Sequence, residues 1–173
     1  MTVFETTRLT LRRLTTDDAT FILELVNDPS WLRFIGDRGV RTLEDARAYL
    51  LKGPMASYER YGFGLFLVRR KEDGQSIGIC GLLKRDVLPD VDIGFAFLPQ
   101  FTRMGYAFEA ASATLGYGRG ALALKQIVAV TSPGNAASVR LLEKLGLKFE
   151  KMVRLTAEAP EISLYGVDLT GGS

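Results

Sequence analysis

A chain of 173 residues with 47% hydrophobic and 24% charged content has the size and balance of one globular domain, which excludes a disordered chain and leaves no room for two ordinary domains. Its 22 Lys and Arg are spread among 20 acids for a net charge of +2, without a basic stripe to neutralise a phosphate backbone, so nucleic acid is not an expected partner. The absence of His and the single Cys80 rule out Ser-His-Asp and Cys-His catalysis and an internal disulfide, and remove the usual nitrogen ligands of zinc.

No apolar run approaches the ~20 residues that cross a bilayer. The start, Met1 to Thr6, lacks the basic and then apolar order of a leader, so a cytoplasmic protein with no membrane partner is expected. Arg8 to Leu14 alternates apolar and polar residues and reads as a half-buried first strand with Leu9 and Leu11 on one face. Thr15-Thr16-Asp17-Asp18 offers caps to a helix whose Phe21, Ile22, Leu25 and Val26 fall at three and four spacing, and Pro29 stops it. A second helix is expected from Thr42, through Ala46, Tyr49 and Leu50, to Gly53-Pro54.

Gly62 to Arg69 and Ser76 to Leu83, joined by Lys71-Glu72-Asp73-Gly74, read as an antiparallel hairpin, and Asp90 to Leu98 as a fourth strand closed by Pro99. Next come a helix from Tyr106 to about Tyr117, a strand from Gln126 to Thr131 and a helix from Ala136 to Leu145 ended by Gly146. Leu147 to Leu169 holds one or two strands around Ala157-Glu158-Ala159-Pro160. With no repeat and no linker, this order predicts an α+β domain on one mixed sheet.

Two segments carry the chemistry. In the first, the strand Asp92 to Leu98 enters the loop Pro99 to Gly105 and a helix begins at Tyr106. The free amides and positive end of such a helix suit a pyrophosphate, and Gly105 lets the backbone come close. In the second, Thr131-Ser132-Pro133-Gly134-Asn135 leads into a helix with Ser138 in its first turn and Leu141, Leu142 and Leu145 on a core face.

Together, about thirty residues apart and in this order, the segments resemble the two cofactor-binding motifs of the GNAT superfamily of N-acetyltransferases, and within it the Rim-type (RimJ/RimL-like) branch that modifies ribosomal-protein N-termini. Gly105 and Ala107 fill the last fixed places of Gln/Arg-x-x-Gly-x-Gly/Ala. Asn135, Ser138, Glu143, Lys144 and Gly146 meet the branch's second motif, Asn-x-x-Ser followed by Glu-Lys-x-Gly-Phe. Arg8-Leu9-Thr10-Leu11-Arg12 and Ile77-Gly78-Ile79-Cys80-Gly81-Leu82 resemble its first and third strands. The resemblance implies a single GNAT domain over residues 1–173, with its core at about 7–168. It implies a mixed, mostly antiparallel sheet of about six to seven strands with about four helices, whose splayed central strands bind acyl-CoA.

The resemblance also implies acetyl-CoA as acyl donor, no metal, and direct attack by a primary amine of a peptide N-terminus or a small molecule, without a covalent enzyme intermediate. Its implied cofactor residues are Phe97, Leu98, Arg103, Met104, Gly105, Tyr106, Ala107, Phe108, Asn135, Ser138 and Lys144, with the amide near Phe97 or Leu98 polarising the thioester oxygen. Asp92 stands where several members carry a catalytic Glu and is the expected base. Leu142 stands where many members have a Tyr proton donor, and the resemblance to Rim-type members implies Ser138 as the donor to the thiolate instead. In this family the region of Trp31, Phe34 and Tyr58 shapes the acceptor pocket, and core packing is the competing role for those aromatics.

The chain departs from the branch at Thr102-Arg103-Met104-Gly105, where Trp-Gly-Lys-Gly is common, and Phe108 replaces a small hydroxyl residue. These departures keep open an alternative, a GNAT-like domain that binds acyl-CoA or a protein partner with weak or no turnover. Gly116-Tyr117-Gly118-Arg119-Gly120-Ala121 matches a dinucleotide fingerprint but follows an alanine-rich helical run instead of a strand, so oxidoreductase chemistry is not expected. Neither the acceptor amine nor the choice between monomer and homodimer is decided by the sequence.

Overall fold

The computed structural model describes residues 2–170. Strand β1 (Thr2–Glu5) pairs antiparallel with β2 (Leu9–Arg13), where the alternation seen in the sequence leaves Leu9 and Leu11 with no exposed surface. A capping box at Thr15 and Asp18 then starts a turn of 3-10 helix that runs into α1 (Ala19–Val26). Arg12 binds Asp18 at 2.8 Å and ties that turn back to β2.

Pro29 ends α1, but it also opens a short helix that the sequence reading missed. It occupies the first turn of α2 (Pro29–Phe34), with Asp28 accepting from the Ser30 amide at 3.0 Å. Pro54 does the same after α3 (Leu43–Lys52), beginning α4 (Pro54–Tyr61). In both places a residue read as a stop is also a start, since proline bars helix continuation yet fits the first helical position, whose N–H is unbonded anyway.

β3 (Leu65–Arg70), β4 (Ser76–Leu83) and β5 (Asp92–Phe97) form an antiparallel meander. α5 (Tyr106–Gly120) packs across β2, β4 and β5, and it absorbs the glycine-rich fingerprint into its own last turn and C-terminal cap. β6 (Gln126–Thr131) is next, then α6 (Ala136–Lys144), β7 (Lys148–Val153) and β8 (Ile162–Asp168). The sheet order is β1-β2-β3-β4-β5-β6-β8-β7, all antiparallel except β5 with β6.

This is the expected α+β single domain on a mixed, mostly antiparallel sheet, with eight strands because β1 joins its edge. The last strand inserts between β6 and β7, which leaves β7 as an exposed edge. Among the described residues no helix is long and apolar enough to cross a membrane.

Candidate active site

β5 and β6 run side by side but pair only where Asp92 meets Val128, with the Val128 amide donating to Val91 O at 3.0 Å. Past that bridge, Phe95 to Phe97 and Ala129 to Thr131 no longer bond to each other and line the two sides of a cleft of about 970 Å³. The Leu98 amide donates to Ile77 O at 3.0 Å across β4. Alternation along an antiparallel ladder then turns the amides of Phe97 and Phe95 to the other edge, toward the opening. Of the two amides expected to reach the thioester, that of Leu98 is therefore spent inside the sheet. Phe95, which the sequence reading passed over, shares the open edge with Phe97.

The loop after β5 delivers the chain into α5. Gly105 caps that helix at φ 82°, a left-handed conformation natural to glycine. Arg103, the residue standing where the resembled branch has glycine, also sits left-handed at φ 63°. A side chain there costs about 1–2 kcal/mol. Among the described residues no side chain caps the first turn, so the amides of Tyr106, Ala107 and Phe108 stay available to an anion. Arg103, Gly105, Ala107 and Phe108 line the cleft. Met104 and Tyr106 do not: the first is exposed, and the Tyr106 ring is buried beneath the Arg8 guanidinium at 4.4 Å. Those two residues offer the site main chain only.

Arg8 and Glu109 join a network behind this loop that sequence reasoning overlooked. Glu109 Oε1 accepts from Arg8 Nε at 2.7 Å, Glu109 Oε2 from Thr6 Oγ1 at 2.5 Å, and Arg8 Nη1 donates to Met104 O at 3.0 Å. This network braces the loop from behind. Burial works to raise the Glu109 pKa, but the hydrogen bonds from Thr6 and Arg8 outweigh it and the net shift is downward.

Across the cleft, Asn135 caps α6, its Oδ1 accepting from the Ser138 amide at 3.2 Å. Ser138, Leu141 and Leu142 lie at three and four spacing on the helix face that lines the cleft, and the Ser138 hydroxyl has no hydrogen-bond partner among the described residues. Lys144 stands over the Phe108 ring at 4.2 Å and, with Arg140 and Arg103, makes the mouth at this end cationic. Leu142 is buried.

The other end of the cleft lies at the start of β5. Asp92 is only 1% exposed, and Arg85 Nε forms an ion pair with its Oδ1 at 3.3 Å without the alignment of a hydrogen bond, so both atoms are buried without a hydrogen-bond partner. Burial pushes the Asp92 carboxyl up to about 6 against the pull of Arg85. Trp31 and Phe34 of α2 also line the cleft, and Ser132 Oγ donates to Phe34 O at 3.3 Å, tying α2 to the end of β6.

Tyr58 stays out of the cleft and belongs to the core, its hydroxyl accepting from the Leu14 amide at 2.9 Å and donating to Leu65 O. Tyr61 stacks on Phe63 and Tyr165 meets Phe149 edge to face, both away from the cleft lining. Cys80 is wholly buried against Thr114, and burial raises its thiol to about 12, so it is no nucleophile. Among the described residues no group of His, Cys, Asp and Glu could hold a metal ion.

A family model for the acetyltransferase (GNAT) domain matches residues 8–148. The uncharacterized N-acetyltransferase YoaA of Bacillus subtilis is 32% identical over 154 residues, covering 88% of this chain and 86% of the relative. Among solved structures, the ribosomal L7/L12 α-N-protein acetyltransferase RimL in complex with coenzyme A superposes with a TM-score of 0.82 at 16% identity, covering 97% of this chain and 98% of that one. Spermidine N-acetyltransferase from Vibrio cholerae, in complex with CoA and spermine, gives 0.78 at 18% identity over 95% and 98% of the two chains. At those identities the two structures share the fold alone.

Proposed function

This chain belongs to the GNAT acetyltransferase family, whose members transfer acetyl groups from acetyl-CoA to amines, and we propose that its cleft binds acetyl-CoA between β5 and β6 and passes the acetyl group directly to a primary amine. The acceptor is a peptide N-terminus or a small-molecule amine, and the setting is the cytoplasm. The observation that carries the proposal is the parting of β5 from β6 immediately before a helix whose first-turn amides have no side-chain cap. A diphosphate is what such a helix start accommodates, and an extended thiol-bearing arm is what a strand edge with free amides accommodates.

The donor supplies an acyl carbon already activated as a thioester; this chain supplies position and proton handling. Main-chain amides at Tyr106 to Phe108, with Arg103 and Lys144, seat the phosphates, and the Phe97 amide binds the extended arm. The Phe95 amide, roughly 10 Å along the strand from Asp92 at about 3.3 Å per residue, donates to the thioester oxygen. The acceptor enters as an ammonium and loses one proton to Asp92 through water, so that its lone pair is free. As the C–N bond forms and the C–S bond breaks, the Ser138 hydroxyl gives its proton to the departing sulfur. It recovers one from the nitrogen, which must lose a second proton to become an amide. One proton per turnover passes from Asp92 to solvent.

Calorimetry tests the donor site: Asn135→Ala and Gly105→Glu should each weaken acetyl-CoA binding, and unchanged affinity in both would remove these residues from it. Leu142, buried where a tyrosine donor is common, favours the second reading, an acyl-CoA-binding domain without turnover. Thiol release followed with peptides, amino acids, polyamines and aminoglycosides separates the two, since only the transferase consumes acetyl-CoA in proportion to an added amine.

A further inference from the structure

The chemistry of the acceptor is written in the polar groups at the Asp92 end of the cleft. Tyr49 lies there with its phenol pKa raised by burial, while Arg38 and Arg85 are both close enough to pull it back down. Arg38, in the loop between α2 and α3, has no acidic partner among the described residues, and the Tyr49 hydroxyl accepts and donates no hydrogen bond among them. Trp31 Nε1 is buried in the same cleft lining, also unpartnered. Tryptophan and arginine can only donate, and a phenol below its pKa donates readily.

Carboxylates are scarce by comparison. Asp28 and Asp92 are the acids that line the cleft; the first caps α2 and the second lies against Arg85. Past Arg38 and Tyr49 the cleft adjoins a shallower depression that adds Lys52 and Asp45, whose carboxylate already accepts from the Arg41 amide at 3.0 Å. A ligand that fills this end must bring oxygen acceptors and negative charge. A second ammonium would have to approach Arg38, and the nearby carboxylates of Asp28 and Asp45 each already accept a main-chain amide.

We infer that the acceptor is a small amine bearing a carboxylate, an amino acid or a comparable acidic amine, whose ammonium faces Asp92 while its carboxylate takes the donors of Arg38 and Tyr49. The inference rests on the transferase reading above and narrows it against polyamines. It places no demand on the phosphate end of the cleft, so the two can fail separately.

The test follows thiol release from acetyl-CoA with the twenty proteinogenic amino acids, their C-terminal amides, spermidine and spermine, for the native chain and for Arg38→Gln. Arg38 is exposed and outside any regular element, so the variant should fold, and its acetyl-CoA affinity by calorimetry serves as the control. At least one free acid should exceed its own amide and both polyamines in kcat/KM by about tenfold or more, the effect of one charge-assisted hydrogen bond. Arg38→Gln should erase that preference by lowering the acid arm alone. Amides or polyamines used as well as the acids, equal losses in both arms, or no acetylation of any amine by a protein that binds acetyl-CoA would each overturn the inference. Failure to bind acetyl-CoA at all would overturn the transferase reading itself.

Discussion

Replacing Asp92 by Asn should make the protein more stable and less active, and the two effects should separate with pH. Folding moves this carboxyl from an ordinary 3.8 up to about 6, because it is buried with one oxygen unpartnered. At about 1.4 kcal/mol per decade, that gap means the ionised side chain costs the fold up to about 3 kcal/mol. Below about pH 3 the folded and unfolded chains are both protonated there, and nothing is lost. Between about pH 4 and 6 the unfolded chain releases its proton while the folded one keeps it, so stability falls as pH rises; above that window the penalty is constant. Asn carries no such penalty but leaves Arg85 without its charge partner, so the expected gain at pH 8 is about 1–3 kcal/mol, or about 3–10 °C in Tm. Melting curves at pH 4 and pH 8 should show a rise in Tm only at the higher pH, while kcat/KM drops by about a hundredfold or more if the carboxylate is the base. A lower Tm at pH 8, or the same shift at both pH values, would refute the account of Asp92 as a buried, destabilised acid.

Arg103→Gly should relieve the left-handed strain at φ 63° and raise stability by about 1 kcal/mol, or about 2–4 °C, while weakening acetyl-CoA binding about fivefold through loss of a solvent-exposed cation. Arg103→Ala should show the binding loss without the gain in Tm, and calorimetry beside melting curves checks both. Ser138→Ala should lower kcat about ten- to a hundredfold with little change in donor affinity, and the deficit should shrink for thioesters with a more acidic leaving thiol; a deficit independent of the leaving group would assign the serine another role. Arg8→Ala should unbrace the loop at Met104 and weaken acetyl-CoA binding about two- to fivefold by calorimetry, a small effect because Arg8 is partly exposed.

Much of the fold was legible in the sequence because it is coded locally. The alternation of Leu9 and Leu11, the spacing of Ile22, Leu25 and Val26, the glycine at 105 and the cap at Asn135 each state a backbone conformation or a buried face within a few residues, and the structure has all four. α2 and α4 were missed because one proline carries two meanings, and the residues after it decide which applies. β1 was missed because four residues, Thr2–Glu5, are too few to show a period.

The sequence by itself therefore determined most of the strands, the longer helices and the tight turn at Gly105 that leads from the cleft opening into α5. Only the tertiary structure decided which amides face that opening, since the phase of β5 is set by the bond from Leu98 to Ile77, twenty-one positions back in the chain. It also decided that Arg8 and Glu109, separated by 101 positions, brace the loop, and that Asp92 is a buried acid beside Arg85. A local pattern records conformation and the face to be buried. The partner of a hydrogen bond and the charge of a buried group are properties of strand pairing and desolvation, which exist only once distant segments meet.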